Sequence, residues 1–177
     1  MNFKNCLCLL LSITVSTSIF AQEGPANNEQ EFEKQYQQRI KQEKLNGVYI
    51  PKNLDDALLQ LDKLINAPSQ AKLKNIPEDS LCVRLHTRLG QWMILNWGFY
   101  GGSRLSHYLR SAGITYPDDM ADFLLLAYHR KLNGKPVIIK DLATYFRDKR
   151  KKEFEKEKKE RKVLKEEKRI KPKEEKN

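Results

Sequence analysis

Beyond its first 21 residues, this chain confines nearly all of its closely spaced apolar residues to one stretch, from about residue 48 to residue 146. Within that stretch they recur three and four apart, which places them on one face of a helix. Pro, Asn and Gly interrupt the pattern at short intervals, so each helix is brief. The expectation is an all-α fold: a compact bundle of about five short helices, preceded by a lead-in helix and followed by a long charged C-terminal helix or tail.

Residues 1–21 read differently. Lys4 precedes an apolar run from Cys6 to Val15, and a softer segment ends in Ser18, Ile19, Phe20 and the small Ala21 before Gln22. This is the pattern of a removable secretory leader. Its apolar run of about 10 residues is shorter than the roughly 20 that a membrane-crossing helix needs. The expected destination is the periplasm or the medium, with no transmembrane segment left after leader removal. Cys6 and Cys8 depart with the leader, and Cys82 then has no intramolecular partner for a disulfide. In Leu81-Cys82-Val83-Arg84-Leu85 it reads as a small apolar residue on a helix, not as a nucleophile.

Charge divides the rest of the chain. Of the formal net charge of +10, Lys4 contributes one, residues 22–146 contribute two, and residues 147–177 contribute seven. The domain at 48–146 is therefore nearly neutral and the basic excess belongs to the tail. In the tail Glu155 and Lys159, and Glu157 and Arg161, are acid-before-base pairs four apart, which favour a helix weakly. Its apolar residues Phe154, Val163, Leu164 and Ile170 are too sparse for a coiled-coil seam, and Pro172 stops a helix. A solvated extension is one reading; electrostatic adhesion to lipid headgroups, envelope polysaccharide or nucleic acid is the other. Export argues against nucleic acid.

The stops and starts place the elements. Residues 22–47 form a polar lead-in, with Phe32, Tyr36 and Ile40 on a narrow helical face from Asn27 to Leu45 that Asn46-Gly47 ends. Asn53 caps a helix carrying Ala57, Leu58, Leu61, Leu64 and Ile65. Pro77-Glu78-Asp79 opens a second, central helix with Leu81, Leu85, Leu89, Trp92 and Met93 at helical spacing. Ser103 caps a third, Pro117 with Asp118 and Asp119 opens a fourth, and Asp141 caps the last. Pro136 to Ile139 is an extended connector. The run Trp97-Gly98-Phe99-Tyr100-Gly101-Gly102 forbids regular helix and forms an aromatic loop.

No segment carries a complete catalytic signature. Gly102-Ser103-Arg104 opens a helix whose amides attract anions, but no phosphate-loop lysine or preceding strand accompanies it. Cys82 and His86 lie four apart, as two metal ligands would, without a second ligand pair, so no metal or other cofactor is expected. Asp118 and Asp119 suit a helix first turn or a pair of acids; His129, Arg130 and Lys131 suit a helix end, where cations meet the negative dipole.

Asn96-Trp97-Gly98-Phe99-Tyr100-Gly101-Gly102-Ser103-Arg104-Leu105, Tyr116-Pro117-Asp118-Asp119-Met120 and Tyr128-His129-Arg130-Lys131-Leu132-Asn133-Gly134-Lys135 together resemble a bacterial domain family of unknown function. The resemblance spans about residues 48–146 and implies no activity, substrate or cofactor. It does single out Trp97, Gly98, Gly101, Gly102, Ser103, Arg104, Asp118, Asp119, His129 and Arg130. The expected role is a non-enzymatic envelope module binding a partner protein or anionic envelope component through the aromatic and Gly-Gly-Ser-Arg surface, with the tail as tether. A small hydrolase using His129, Asp118 or Asp119 and Arg104 is the alternative. A third is binding of a phosphate-rich polymer or nucleic acid through the tail.

Overall fold

The computed structural model describes residues 26–170; the expected leader and Pro172 lie outside the described residues. Among the described residues the regular structure is helical except for one hairpin of two two-residue strands. Helix α1 (Glu29–Arg39) begins on an Asn28 side-chain cap, and strands β1 (Lys44–Leu45) and β2 (Val48–Tyr49) follow as an antiparallel pair. The lead-in helix is thus shorter than its apolar spacing suggested. Asn46 at φ 49° and Gly47 at φ 80° both take left-handed backbone, which turns the chain into a hairpin instead of merely ending a helix.

Helix α2 (Leu54–Leu64) starts where expected, with the Asn53 side chain accepting from the Asp56 amide at 3.0 Å, and buries Leu54, Ala57, Leu58 and Leu61. The Asn66 side chain then caps α3 (Ala67–Lys74). The helix opened by Pro77 is not one regular helix. It runs as α4 (Leu81–Leu85), a π-turn (His86–Gly90) and α5 (Gln91–Asn96). The π-turn inserts a residue and rotates α5 relative to α4. Met93, Ile94 and Trp97 are consequently sealed in the core, while Leu89 and Trp92 only pack against it.

Helix α6 (Arg104–Ser111) leads to α7 (Pro117–Leu132), which is the true centre: every residue from Asp119 to His129 is buried. Helices α2 to α6 and the π-turn are arranged around it. Helix α8 (Ile139–Ile170) starts two residues before Asp141, which sits in its first turn and not at its cap. Leu142, Ala143 and Phe146 return to the core, Phe146 edge-on to Phe123 with ring centroids 6.4 Å apart. The helix then continues without a break into the charged segment, so core and tail share one 32-residue element. No described helix is long and apolar enough to cross a membrane.

Candidate functional site

The glycine-punctuated loop is spent largely on the fold. Trp97 is 1% exposed and Phe99 is fully buried, their rings meeting at 6.5 Å, and Trp92 packs edge-on against Trp97. Ser103, also fully buried, accepts from the Ser106 amide while the Ser103 amide donates to Ser106 Oγ at 2.8 Å, a reciprocal cap at the start of α6. Arg104 donates through Nε to the Ile50 carbonyl at 2.7 Å, stacks over the Tyr49 ring at 5.0 Å and reaches Glu43 at 3.4 Å. Of this run only Tyr100 is strongly exposed. The residues therefore do not make one open binding surface.

Part of that surface is instead covered from within. Tyr36 of α1 packs against Gly102, whose φ is 92° and whose missing Cβ would fall 2.3 Å from the Tyr36 ring. The Tyr36 hydroxyl and His107 Nδ1 are 2.9 Å apart, and Arg110 sits 5.6 Å from the centre of the same ring. Arg39 approaches the Gly101 side of the loop. Nothing in the sequence connects Tyr36, His107 and Arg110. The one signal is the spacing of Phe32, Tyr36 and Ile40, which says that α1 docks but not where.

Along α7 the acid, imidazole and guanidinium candidates separate. Asp119, 5% exposed, takes a two-point hydrogen bond from Arg150 of α8, Nε to Oδ2 at 3.0 Å and Nη2 to Oδ1 at 2.6 Å, and Arg150 also lies over the Tyr116 ring at 4.5 Å. The Asp119 hydrogen bonds hold the Arg150 guanidinium above its already high range. His129 lies ten residues on, about 15 Å along the helix axis. Its Nε2 is 2.9 Å from the Ile76 carbonyl; a carbonyl only accepts, so this nitrogen carries the proton. Arg130 donates twice to Glu78, at 2.9 and 2.7 Å, and Lys135 reaches the other oxygen of that carboxylate at 2.9 Å. Arg104 is engaged elsewhere, with the hairpin residue Tyr49 and its neighbours Glu43 and Ile50. The proposed hydrolytic group does not share a pocket.

A different cluster does form. His86, the first residue of the π-turn, places Nδ1 2.7 Å from Asp122 Oδ1 and Nε2 3.4 Å from Asp118 Oδ1. Lys149 of α8 approaches the other Asp122 oxygen at 3.9 Å, and Cys82 lies against the Asp122 carbonyl. Because a carboxylate only accepts, the Nδ1 beside Asp122 bears hydrogen, and Nε2 faces Asp118. Burial, with the Asp122 charge adding to it, pushes the Cys82 thiol up to about 12, so it stays protonated and unreactive at neutral pH. Asp122 is the residue that sequence reasoning missed; its signal is a lone acid inside the apolar run from Met120 to Tyr128. Among the described residues no group of three metal-ligating side chains is placed to hold an ion.

Exposed cations along α8 complete the chemistry. Arg147, Lys151, Lys158, Arg161 and Lys162 are exposed, as is Phe154 among them. Phe154, Lys158, Arg161 and Lys162 line a shallow hollow of about 300 Å³.

Residues 50–132 match the family model described as a domain of unknown function, DUF6794. No curated protein and no solved structure matches the chain. The DUF6794 match starts at Ile50, whose carbonyl holds Arg104, and ends at Leu132, the last residue of α7. It contains the glycine loop, the π-turn and the central helix. Outside it lie α1, which covers Gly102, the hairpin, and α8, which supplies Lys149 and Arg150 to the acidic end of α7. Elements flanking the matched segment thus complete both of its polar faces.

Proposed function

We propose that the protein is an exported, non-enzymatic interaction module of the cell envelope, in which the helical domain serves as a mount for a basic helical arm. One observation carries this reading: α8 is clamped at its root and then leaves the core as the same helix. Phe146 is buried and Arg150 grips Asp119, whereas every residue from Phe154 to Leu164 is exposed. A helix rooted in a core is held in one direction, which a flexible tail is not. The apolar leader supports export. The separate engagement of Arg104, Asp119 and His129 in structural contacts supports binding over catalysis. A chain shortened after Arg150 should keep its melting temperature within a few degrees, because deletion spares the core contacts, yet lose association with envelope fractions. Undiminished association of the shortened chain would refute the arm as the binding element.

A second reading, hydrolytic catalysis, has the His86–Asp122 pair in its favour, since a carboxylate on Nδ1 orients an imidazole for proton transfer at Nε2. His86→Gln should then abolish any hydrolysis of simple ester or phosphoester substrates by the purified chain. Activity that survives the substitution excludes this pair.

A further inference from the structure

Resting on the reading of α8 as a binding arm, we propose that the ligand of the arm is a linear anionic polysaccharide, gripped along one narrow stripe of the helix. Positions 147, 151, 154, 158 and 161 advance by four and three, the step that keeps side chains on one helical face. They are Arg147, Lys151, Phe154, Lys158 and Arg161, with Lys162 at the edge. The stripe holds no acid and extends about 22 Å from 147 to 162 at the rise of an α-helix. Among the described residues Arg147, Lys151, Lys158 and Lys162 have no acidic partner, and Arg161 has only the exposed Glu157, 3.2 Å away. Such an exposed pair is weak and yields readily to a competing anion.

The shape of the charge pattern selects the ligand. Asp148 and Glu155 border the stripe on one flank and Glu157 borders it on the other, while Glu153 and Glu160 lie further round the helix. A flat anionic bilayer resting on the stripe meets the acids on both flanks, and so does a wide duplex. A thin polymer meets only the cations. Phe154 then decides between thin polymers. One exposed ring beside Lys158, Arg161 and Lys162 in a hollow of about 300 Å³ suits the apolar face of a sugar ring with its acidic substituent on a neighbouring cation. Single-stranded nucleic acid needs successive aromatic platforms for its bases, and this face offers one. The export signal of the leader points the same way.

The test is a titration of the full chain with polygalacturonate, poly(dT) and vesicles rich in phosphatidylglycerol, at two salt concentrations. Two triple variants carry the same charge loss: K151Q/K158Q/K162Q on the stripe and K152Q/K156Q/K159Q on the opposite side, each checked by circular dichroism for retained helix. The stripe variant should lose about tenfold or more in affinity for polygalacturonate, with a shallower salt dependence, and the opposite variant about threefold or less. F154A should weaken binding several-fold, and the loss should persist at high salt because ring contact is not screened. Equal losses in the two triple variants, or tighter binding to poly(dT) or vesicles, would overturn the proposal. If the chain binds no polyanion while the chain shortened after Arg150 still loses envelope association, the polysaccharide is wrong and the arm stands. If the shortened chain loses nothing, the arm itself is wrong.

Discussion

Gly102 shows what a single residue does here. At φ 92° it occupies backbone that side chains rarely adopt, and the face where a Cβ would stand is taken by the Tyr36 ring. Gly102→Ala combines a left-handed backbone cost of about 1–2 kcal/mol with a steric conflict. We predict a loss of about 2–4 kcal/mol in urea unfolding, most of it with α1 displaced. In a Tyr36→Ala background the same substitution should cost only the backbone part. Equal costs in the two backgrounds would show that the ring contact plays no part. The glycine itself was legible in the sequence as a break in helix. That it receives a tyrosine 66 positions earlier was not, because nothing local links the two.

At the scale of elements, the root of α8 carries the arm. Asp119 is buried and its two oxygens both accept from Arg150, so removing its charge leaves the guanidinium only the partly exposed Glu153, 3.5 Å away, as an acidic partner. Asp119→Asn is expected to cost about 1–3 kcal/mol and to speed amide exchange across residues 147–155, with α1 to α6 little changed. Exchange that stays as slow as in the unaltered chain would mean that the buried Leu142, Ala143 and Phe146 fix the root without the ion pair. Asp118 and Asp119 illustrate how far a sequence carries. Their place in a helix first turn was evident from Pro117, yet the same residues reach across to His86 and Arg150. The π-turn was invisible because its residues, His86 to Gly90, keep ordinary helical spacing until the register is counted against the core.

For the molecule as a whole, Glu78 ties the turn before α4 to the end of the central helix. The hydrogen bond from Lys135 does most to lower its pKa, burial opposes this, and Arg130 adds to the lowering, so the folded carboxyl titrates below its ordinary value. A carboxyl depressed on folding contributes stability above its unfolded value and loses it as pH falls through the folded one. Glu78→Gln should therefore destabilise the chain at neutral pH by about 1 kcal/mol. The gap between variant and unaltered chain should close as pH falls below about 4.5, the ordinary value. A gap that is constant from pH 7 to pH 3 would exclude the charge as its source.

What the sequence determined alone was local: the caps at Asn53 and Ser103, the opening of a helix at Pro117, the helical class, and the separation of a neutral domain from a basic end. These follow from short-range sterics and spacing, which act between residues within a turn or two of each other. Which helix is central, which glycine takes the tyrosine, and which acid meets His86 were decided only in three dimensions. Each depends on burial and on partners between 31 and 71 positions away, and such pairings gain their free energy only once the core has excluded water from around them.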